Sequence, residues 1–343
     1  FLGGTGYCQC GRSQMQTGRL IMSSPTPIPD VAIAPAKPDR SGLRARVVSG
    51  VIMAVILLGI TIVDTWFAPY FPLFAIIALG VAILTGWELA HLLKAFPIEI
   101  RPWFCILGSV AIPMSVWVTA LGSESYIDLV GSDNPNFRPP AIVFCACAML
   151  AFLIEAYSYK APGKATLVIA GHLVVFFYVG ILGSFVVLLR WFGETPAEGT
   201  YILIMTVFTA KFCDIGAFFA GRNFGKHKMA PLLSPGKTVE GAIGGLLAST
   251  LFGMIAHLVG QWAGWAEGLP WYSGAIFGLV VGWAAQIGDL MESLIKRDCR
   301  SKDAGDTIPG FGGVLDVVDS VFFSAPVAYL LLAIGNAVLR LQH

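Results

Sequence analysis

Charge is what this sequence has least of. Asp, Glu, Lys and Arg make up 13% of its 343 residues, about half of the roughly 25% found in soluble domains. Net charge is missing as well: 22 Lys and Arg against 21 Asp and Glu leave +1, so no general field attracts nucleic acid. The seven cysteines have neither paired spacing nor a metal-finger pattern. Cys105, Cys145, Cys147 and Cys213 lie in apolar runs, Cys8 and Cys10 in a polar tail, and Cys299 alone in a charged loop. They are expected to be reduced or incidental, which excludes a disulfide framework. No internal repeat occurs, and no apolar h-region follows the early charges as a secretory signal requires. What the chain has in excess is apolar surface, with 56% hydrophobic residues and a mean hydropathy of +0.74. A soluble enzyme, a disordered scaffold and a disulfide-rich secreted module are all excluded, and most of the chain is expected in lipid.

Residues 1–41 are rich in Gly, Ser, Thr and Pro and read as a flexible tail. Met22-Ser-Ser-Pro has the character of a natural start, so residues 1–21 are expected to lie upstream of it. Beyond the tail, stretches able to span about 30 Å of hydrocarbon recur at 46–64, 72–93, 103–122, 140–158, 165–189, 201–221, 240–262, 272–292 and 319–340. Backbone groups in lipid must be satisfied within the segment, and no alternating barrel pattern is present, so the predicted fold is an all-α integral membrane protein of nine helices. Five fall in 42–200 and four in 201–343, a C-terminal region carrying the loops 222–239 and 293–318. Sixteen Lys and Arg lie in the tail from Lys37 and in the loops 93–102, 159–164, 222–239 and 293–318, against Arg138, Arg190 and Arg340 elsewhere between and after the spans. That asymmetry predicts a cytoplasmic N-terminus, an external C-terminus and an acidic external connection at 123–138.

Ionisable residues in or beside the spans point to function, because a charge in lipid is costly. Lys211 and Asp214 are three apart in the sixth span and are expected to pair on one face. Glu88 and His91 are a weaker pair, expected to snorkel toward the surface. The loop after the sixth span contains Arg222, Lys226, Ser234, Lys237, Thr238 and Glu240. Its Gly236-Lys237-Thr238 is not a P-loop, since Pro231 stands where that motif needs glycine and a membrane helix where it needs a strand. Cations and a hydroxyl at the opening of a helix still suit a polyphosphate. Gly241 and Gly245 read as a small-residue packing pair. The densest stretch holds Asp289, Glu292 and Ser293 at one spacing and Asp316, Asp319 and Ser320 at the same spacing, joined by a cationic loop with Lys296, Arg297, Lys302 and Asp303. Carboxylates without His or Cys clusters suit a hard cation such as Mg²⁺, and with adjacent cations they are the equipment of phosphoryl or nucleotidyl transfer. A transporter is the rival class, but it would place its charges at the midplane in broken, repeated helices.

Ser293-x-x-Lys296-Arg297, Lys302-Asp303, Pro309-Gly310-x-Gly312-Gly313 and Asp316-x-x-Asp319 resemble the signature of the phosphatidate cytidylyltransferases (CDP-diacylglycerol synthases). Asp214-Ile-Gly-Ala-Phe-Phe-x-Gly221-Arg222 and Ser234-Pro-x-Lys237-Thr238-x-Glu240-Gly241 are similar to the family's second region, and the likeness is close over about 201–325. Two positions depart, Phe311 where the family has His and Val317 where it has Arg. The resemblance implies a multi-pass enzyme of the inner (plasma) membrane that joins CTP to phosphatidic acid, needs Mg²⁺ as one ion or two, takes no nucleic acid and leaves a homodimer open. In the mechanism expected from it, Asp289, Asp316 and Asp319 hold the metal, and Lys296, Arg297, Lys302 and Asp303 form the catalytic loop. Arg222, Lys226, Ser234, Lys237, Thr238, Ser293, Gly312 and Gly313 bind substrate, supported by Asp214 and Glu240.

Overall fold

The computed structural model describes residues 52, 54–121, 137–160, 162–266, 269–308 and 312–342. The tail with Met22, nearly all of the acidic connection 123–138, and Pro309, Gly310 and Phe311 lie outside the described residues. Nine helices run through the described chain: α1 (Ala54–Phe67), α2 (Pro72–Leu92), α3 (Pro102–Leu121), α4 (Arg138–Ser158), α5 (Ala165–Leu189), α6 (Pro196–Phe224), α7 (Val239–Trp262), α8 (Tyr272–Asp298) and α9 (Leu315–Gln342). Seven of them are long and apolar enough to cross a membrane. The spans expected at 46–64 and 103–122 correspond to two shorter apolar helices, Ala54–Phe67 and Pro102–Trp117. Outward faces stay apolar, with Ile142, Leu153, Leu247 and Leu251 all mostly exposed, as a helix wrapped in lipid requires. The molecule is an all-α, multi-pass membrane protein.

Local chemistry sets the helix ends. Pro196 opens α6 at the position where its missing N–H costs nothing, and the Thr195 hydroxyl accepts from Glu198 N at 3.2 Å. Pro72 opens α2, whose free Leu73 and Phe74 N–H groups both donate to the buried Asp64 carboxylate at 3.0 Å. Within α5 the turn widens to a π-helix over Phe176–Ile181.

Helices α6, α7 and α8 touch through small residues. A Cβ on Gly216 would stand 2.4 Å from Ala248 Cβ, one on Gly244 2.2 Å from Ala220 Cβ, and one on Gly278 2.3 Å from Ser249 O. Gly241 and Gly245 are part of the same seam, with Ala217 O and Cys213 O at 2.9 and 2.8 Å from their would-be Cβ atoms. Close backbone approach is what small residues allow in a membrane interface. One apolar core gathers Phe71, Trp117, Trp191 and Tyr329. A second, made of Leu89, Tyr178, Leu182, Cys299, Leu315 and Phe322, lies beneath the charged residues. Burial pushes the Cys299 thiol up to about 11, so it stays a protonated core residue.

Both expected loops are more ordered than the sequence suggested. In 222–239, α6 continues to Phe224 and a bulged antiparallel hairpin follows, β1 (Lys228–Ala230) against β2 (Ser234–Thr238). In 293–318, Ser293, Lys296 and Arg297 belong to the last turns of α8. The Glu292–Lys296 ion pair at i, i+4 and cations at the negative end of the helix dipole extend the helix beyond its apolar run.

Candidate active site

Helix α8 brings Asp289 and Glu292 onto one face, and α9 sets Asp319 against them. The three carboxylates offer oxygens within 4.8 Å of one another, and Glu292 and Asp319 are buried. Like charges this close repel, and three lysines from three elements offset them. Lys237 of β2 stands 2.9 Å from Asp289 Oδ2. Lys296 of α8 lies 2.6 Å from both Glu292 Oε2 and Asp316 Oδ1. Lys211 of α6 is 3.1 Å from Asp214 and donates to Ser320 Oγ at 2.8 Å, while Ser320 Oγ donates to Asp214 at 3.0 Å and Ser320 N to Asp319 Oδ1 at 2.6 Å. The expected Lys211–Asp214 pair therefore forms, with Ser320 as a third member.

One buried oxygen of the cluster, Glu292 Oε1, has no hydrogen-bond partner among the described residues. An all-oxygen set of three carboxylates with an unpaired buried acceptor fits a hard divalent cation such as Mg²⁺. The set differs from the expected one: Glu292 stands in it where Asp316 was predicted. Asp316 is spent on framework instead. Its Oδ1 accepts from Lys296, and its Oδ2 accepts from Ala304 N at 2.9 Å and Gly313 N at 2.7 Å, which folds the loop onto the start of α9.

A second carboxylate completes that start from far away in sequence. Glu88 of α2, fully buried, accepts from Thr307 Oγ1 at 2.6 Å, Val314 N at 2.9 Å and Leu315 N at 2.8 Å. It does not snorkel, and its expected partner His91 turns instead to Lys94, 3.1 Å away. The pair of carboxylates explains Gly312-Gly313. Gly312 adopts φ +99°, and a Cβ on Gly313 would meet Glu88 Oε2 at 2.6 Å, so no side chain fits there. The two glycines expected to bind substrate thus shape the loop.

Several other residues expected at the site have partners within the chain. Thr238 is buried and its hydroxyl caps α7 by accepting from Gly241 N at 3.1 Å. Glu240 accepts from Lys226 N at 3.0 Å and pairs with His227 Nδ1 at 2.6 Å, tying the end of α6 to α7. Arg297 donates to Leu233 O at 3.1 Å and Ser301 O at 3.0 Å, fastening the end of α8 to the hairpin. Ser234 pairs with Ala230 in the hairpin, Ser293 is buried on α8, and Val317 is half-buried. Arg222, Lys226, Lys302 and Asp303 remain exposed. Glu88 had no local sequence signal to mark its role. Glu292 did have one: it shares a helical face with Asp289.

The chain matches the model of the cytidylyltransferase family over residues 44–335. It is 31% identical to the phosphatidate cytidylyltransferase of Brucella suis over 296 residues, which is 86% of this chain and 94% of that protein. It is 28% identical to the phosphatidate cytidylyltransferase of Bacillus subtilis over 296 residues, 85% of this chain and 98% of that one. A shorter stretch of 143 residues is 38% identical to the enzyme of the same name from Chlamydia muridarum, covering 41% of this chain and 46% of that relative. With carboxylates, lysines and helix ends gathered as a transferase of phosphorylated substrates needs them, and with this match across most of its length, the chain belongs to the cytidylyltransferase family.

Proposed function

We propose that the protein transfers the cytidylyl group of CTP to phosphatidate, making CDP-diacylglycerol and pyrophosphate. The observation that carries this reading is the convergence of Asp289, Glu292 and Asp319 beside Lys211, Lys237 and Lys296 in a membrane protein of this family. A phosphate oxygen of the lipid bonds to the α-phosphorus of CTP as the bond to the bridging oxygen breaks, and pyrophosphate leaves with both electrons of that bond. The nucleophile is already an anion, so no side chain has to be deprotonated. Lys237, at the edge of the cluster with Asp289 as its one ion-pair partner among the described residues, neutralises a phosphate of CTP. Arg222, Lys226 and Lys302, exposed around it, draw in the triphosphate. Lys296 and Lys211, each held between acidic or hydroxyl partners, fix the carboxylates in place. Asp289, Glu292 and Asp319 would hold Mg²⁺, which when bound would neutralise charge on the reacting phosphates.

The basic loops 222–239 and 293–318 adjoin this cluster, and Lys and Arg concentrate on the cytoplasmic side of membrane proteins. The site therefore faces the cytoplasm, where CTP is found, from the inner membrane, with nine spans and a cytoplasmic N-terminus. The test is purified protein in detergent with labelled CTP, phosphatidate and Mg²⁺. A CDP-lipid should form in step with pyrophosphate. A product formed only with another nucleotide or another lipid phosphate would overturn the reading.

A further inference from the structure

Tyr178 sits in the π-helical segment of α5, an irregularity often found at functional sites. It is 4% exposed and is held between Phe322 and Phe323 of α9, with ring centroids at 6.2 and 5.8 Å. Its hydroxyl has no hydrogen-bond partner among the described residues. Phe323 in turn packs against Gly288, the residue before Asp289: a Cβ on Gly288 would stand 2.8 Å from both Phe323 Cβ and Asp319 O, so the ring lies on the same α8–α9 contact that carries the carboxylates.

A buried hydroxyl without a partner is costly, and each such group in a folded protein needs an explanation. Two orphans belong to this part of the molecule: a donor, the Tyr178 hydroxyl, and an acceptor, Glu292 Oε1. They do not satisfy each other and no described residue satisfies either, which leaves both to a bound ligand. It must accept from a phenol and yet be welcome among three carboxylates. A phosphate group bound with a divalent cation meets both demands, with the cation toward Glu292 and an anionic oxygen toward Tyr178. Phenols donate well to such oxygens and stay neutral while doing so.

We propose that Tyr178 is a substrate-binding residue whose hydroxyl donates a hydrogen bond to a phosphate oxygen of the substrate held at the carboxylate cluster. The proposal rests on the cytidylyltransferase reading for the identity of that substrate; the lipid and the nucleotide both carry such a phosphate, and the experiment separates the two.

Tyr178→Phe keeps the ring between Phe322 and Phe323 and removes only the hydroxyl. The full-length variant in detergent is compared with wild type by steady-state kinetics and by thermal unfolding with Mg²⁺ alone, Mg²⁺ with pyrophosphate, Mg²⁺ with CTP, and phosphatidate. Without ligand the variant should unfold at the wild-type temperature or above it. Its kcat/KM should fall tenfold or more, about 1.4 kcal/mol, and its stabilisation by phosphate-bearing probes should shrink. A rise in KM for phosphatidate assigns the lipid phosphate, and a rise for CTP the nucleotide. Unchanged kinetics with unchanged ligand stabilisation would overturn the proposal. So would a less stable or unfolded variant with wild-type KM values wherever measurable, or a changed response to Mg²⁺ alone, because each gives the hydroxyl a partner other than substrate phosphate. If wild type makes no CDP-lipid but its stabilisation by Mg²⁺ and pyrophosphate depends on the hydroxyl, the activity reading fails and Tyr178 keeps its role. A wild type that no probe stabilises overturns both.

Discussion

Two regions of this molecule bury charge, and they treat it in opposite ways. Among the helices before α6, every principal charged group is turned to holding the fold. Asp64 spends both oxygens on backbone N–H groups at the start of α2. Arg190, wholly buried, donates to Pro196 O at 3.0 Å and to the Thr200 hydroxyl, and lies 3.8 Å from the centre of the Phe71 ring. Arg101 pairs with Glu155 and donates to Ser158 Oγ at 2.9 Å. Between α8 and α9 the acids are instead concentrated and left incomplete: three carboxylates lie within 4.8 Å of one another, and one oxygen of Glu292 has no hydrogen-bond partner among the described residues. Buried charge alone therefore does not mark a site. What distinguishes the second region is that its carboxylates are gathered together with an acceptor left over after the protein has made its own bonds.

That contrast can be broken, beginning with the largest effect. Asp289→Asn and Asp319→Asn should each lower turnover roughly a hundredfold to a thousandfold while the protein still folds into the membrane, because each removes charge from the incomplete region. Near-normal turnover at saturating Mg²⁺ would remove that residue from the cation shell. Glu88→Ala should behave differently, costing about 3 kcal/mol of stability along with activity, since it strands the Val314 and Leu315 N–H groups. Thermal unfolding and turnover measured on the same preparation separate the two kinds of variant; a fully stable but inactive Glu88→Ala would put Glu88 with the site. Lys237→Ala should raise the KM for CTP by about tenfold with little change in unfolding temperature, and an unchanged KM would return Lys237 to the framework. Thr238→Ala is the mildest. Loss of the α7 cap should cost about 1 kcal/mol and leave both KM values as they were, whereas a raised KM would show that this hydroxyl reaches substrate.

Much of this was legible in the chain. Scarce charge and recurring apolar runs are averages over many residues, so they identify membrane helices without any knowledge of packing. The glycine seam at Gly241 and Gly245 and the pairing of Lys211 with Asp214 depend on helical spacing, a local property. The motif residues were readable as a group too, because polar residues in lipid are rare enough to stand out. Their individual roles were not. Thr238, Glu240, Arg297, Gly312 and Gly313 have the chemistry of substrate ligands, yet in the structure they cap, tie or clear space.

The difference has a physical cause. Composition and periodicity decide which segments enter the membrane and which face each helix turns inward, since both follow from the bonds a backbone and its near neighbours can make alone. Whether a given carboxylate is closed or open depends on donors from other helices. Glu88 is closed by residues 226 and 227 positions away, and Glu292 stays open although Lys296 sits one turn beyond it. Asp316 rather than Glu292 was expected beside Asp289 and Asp319 because nothing in the local sequence shows that two loop N–H groups fold back onto it. Partners so distant along the chain are chosen only when the helices pack, so the tertiary structure alone decided which acids are closed by the protein's own donors and which are left open.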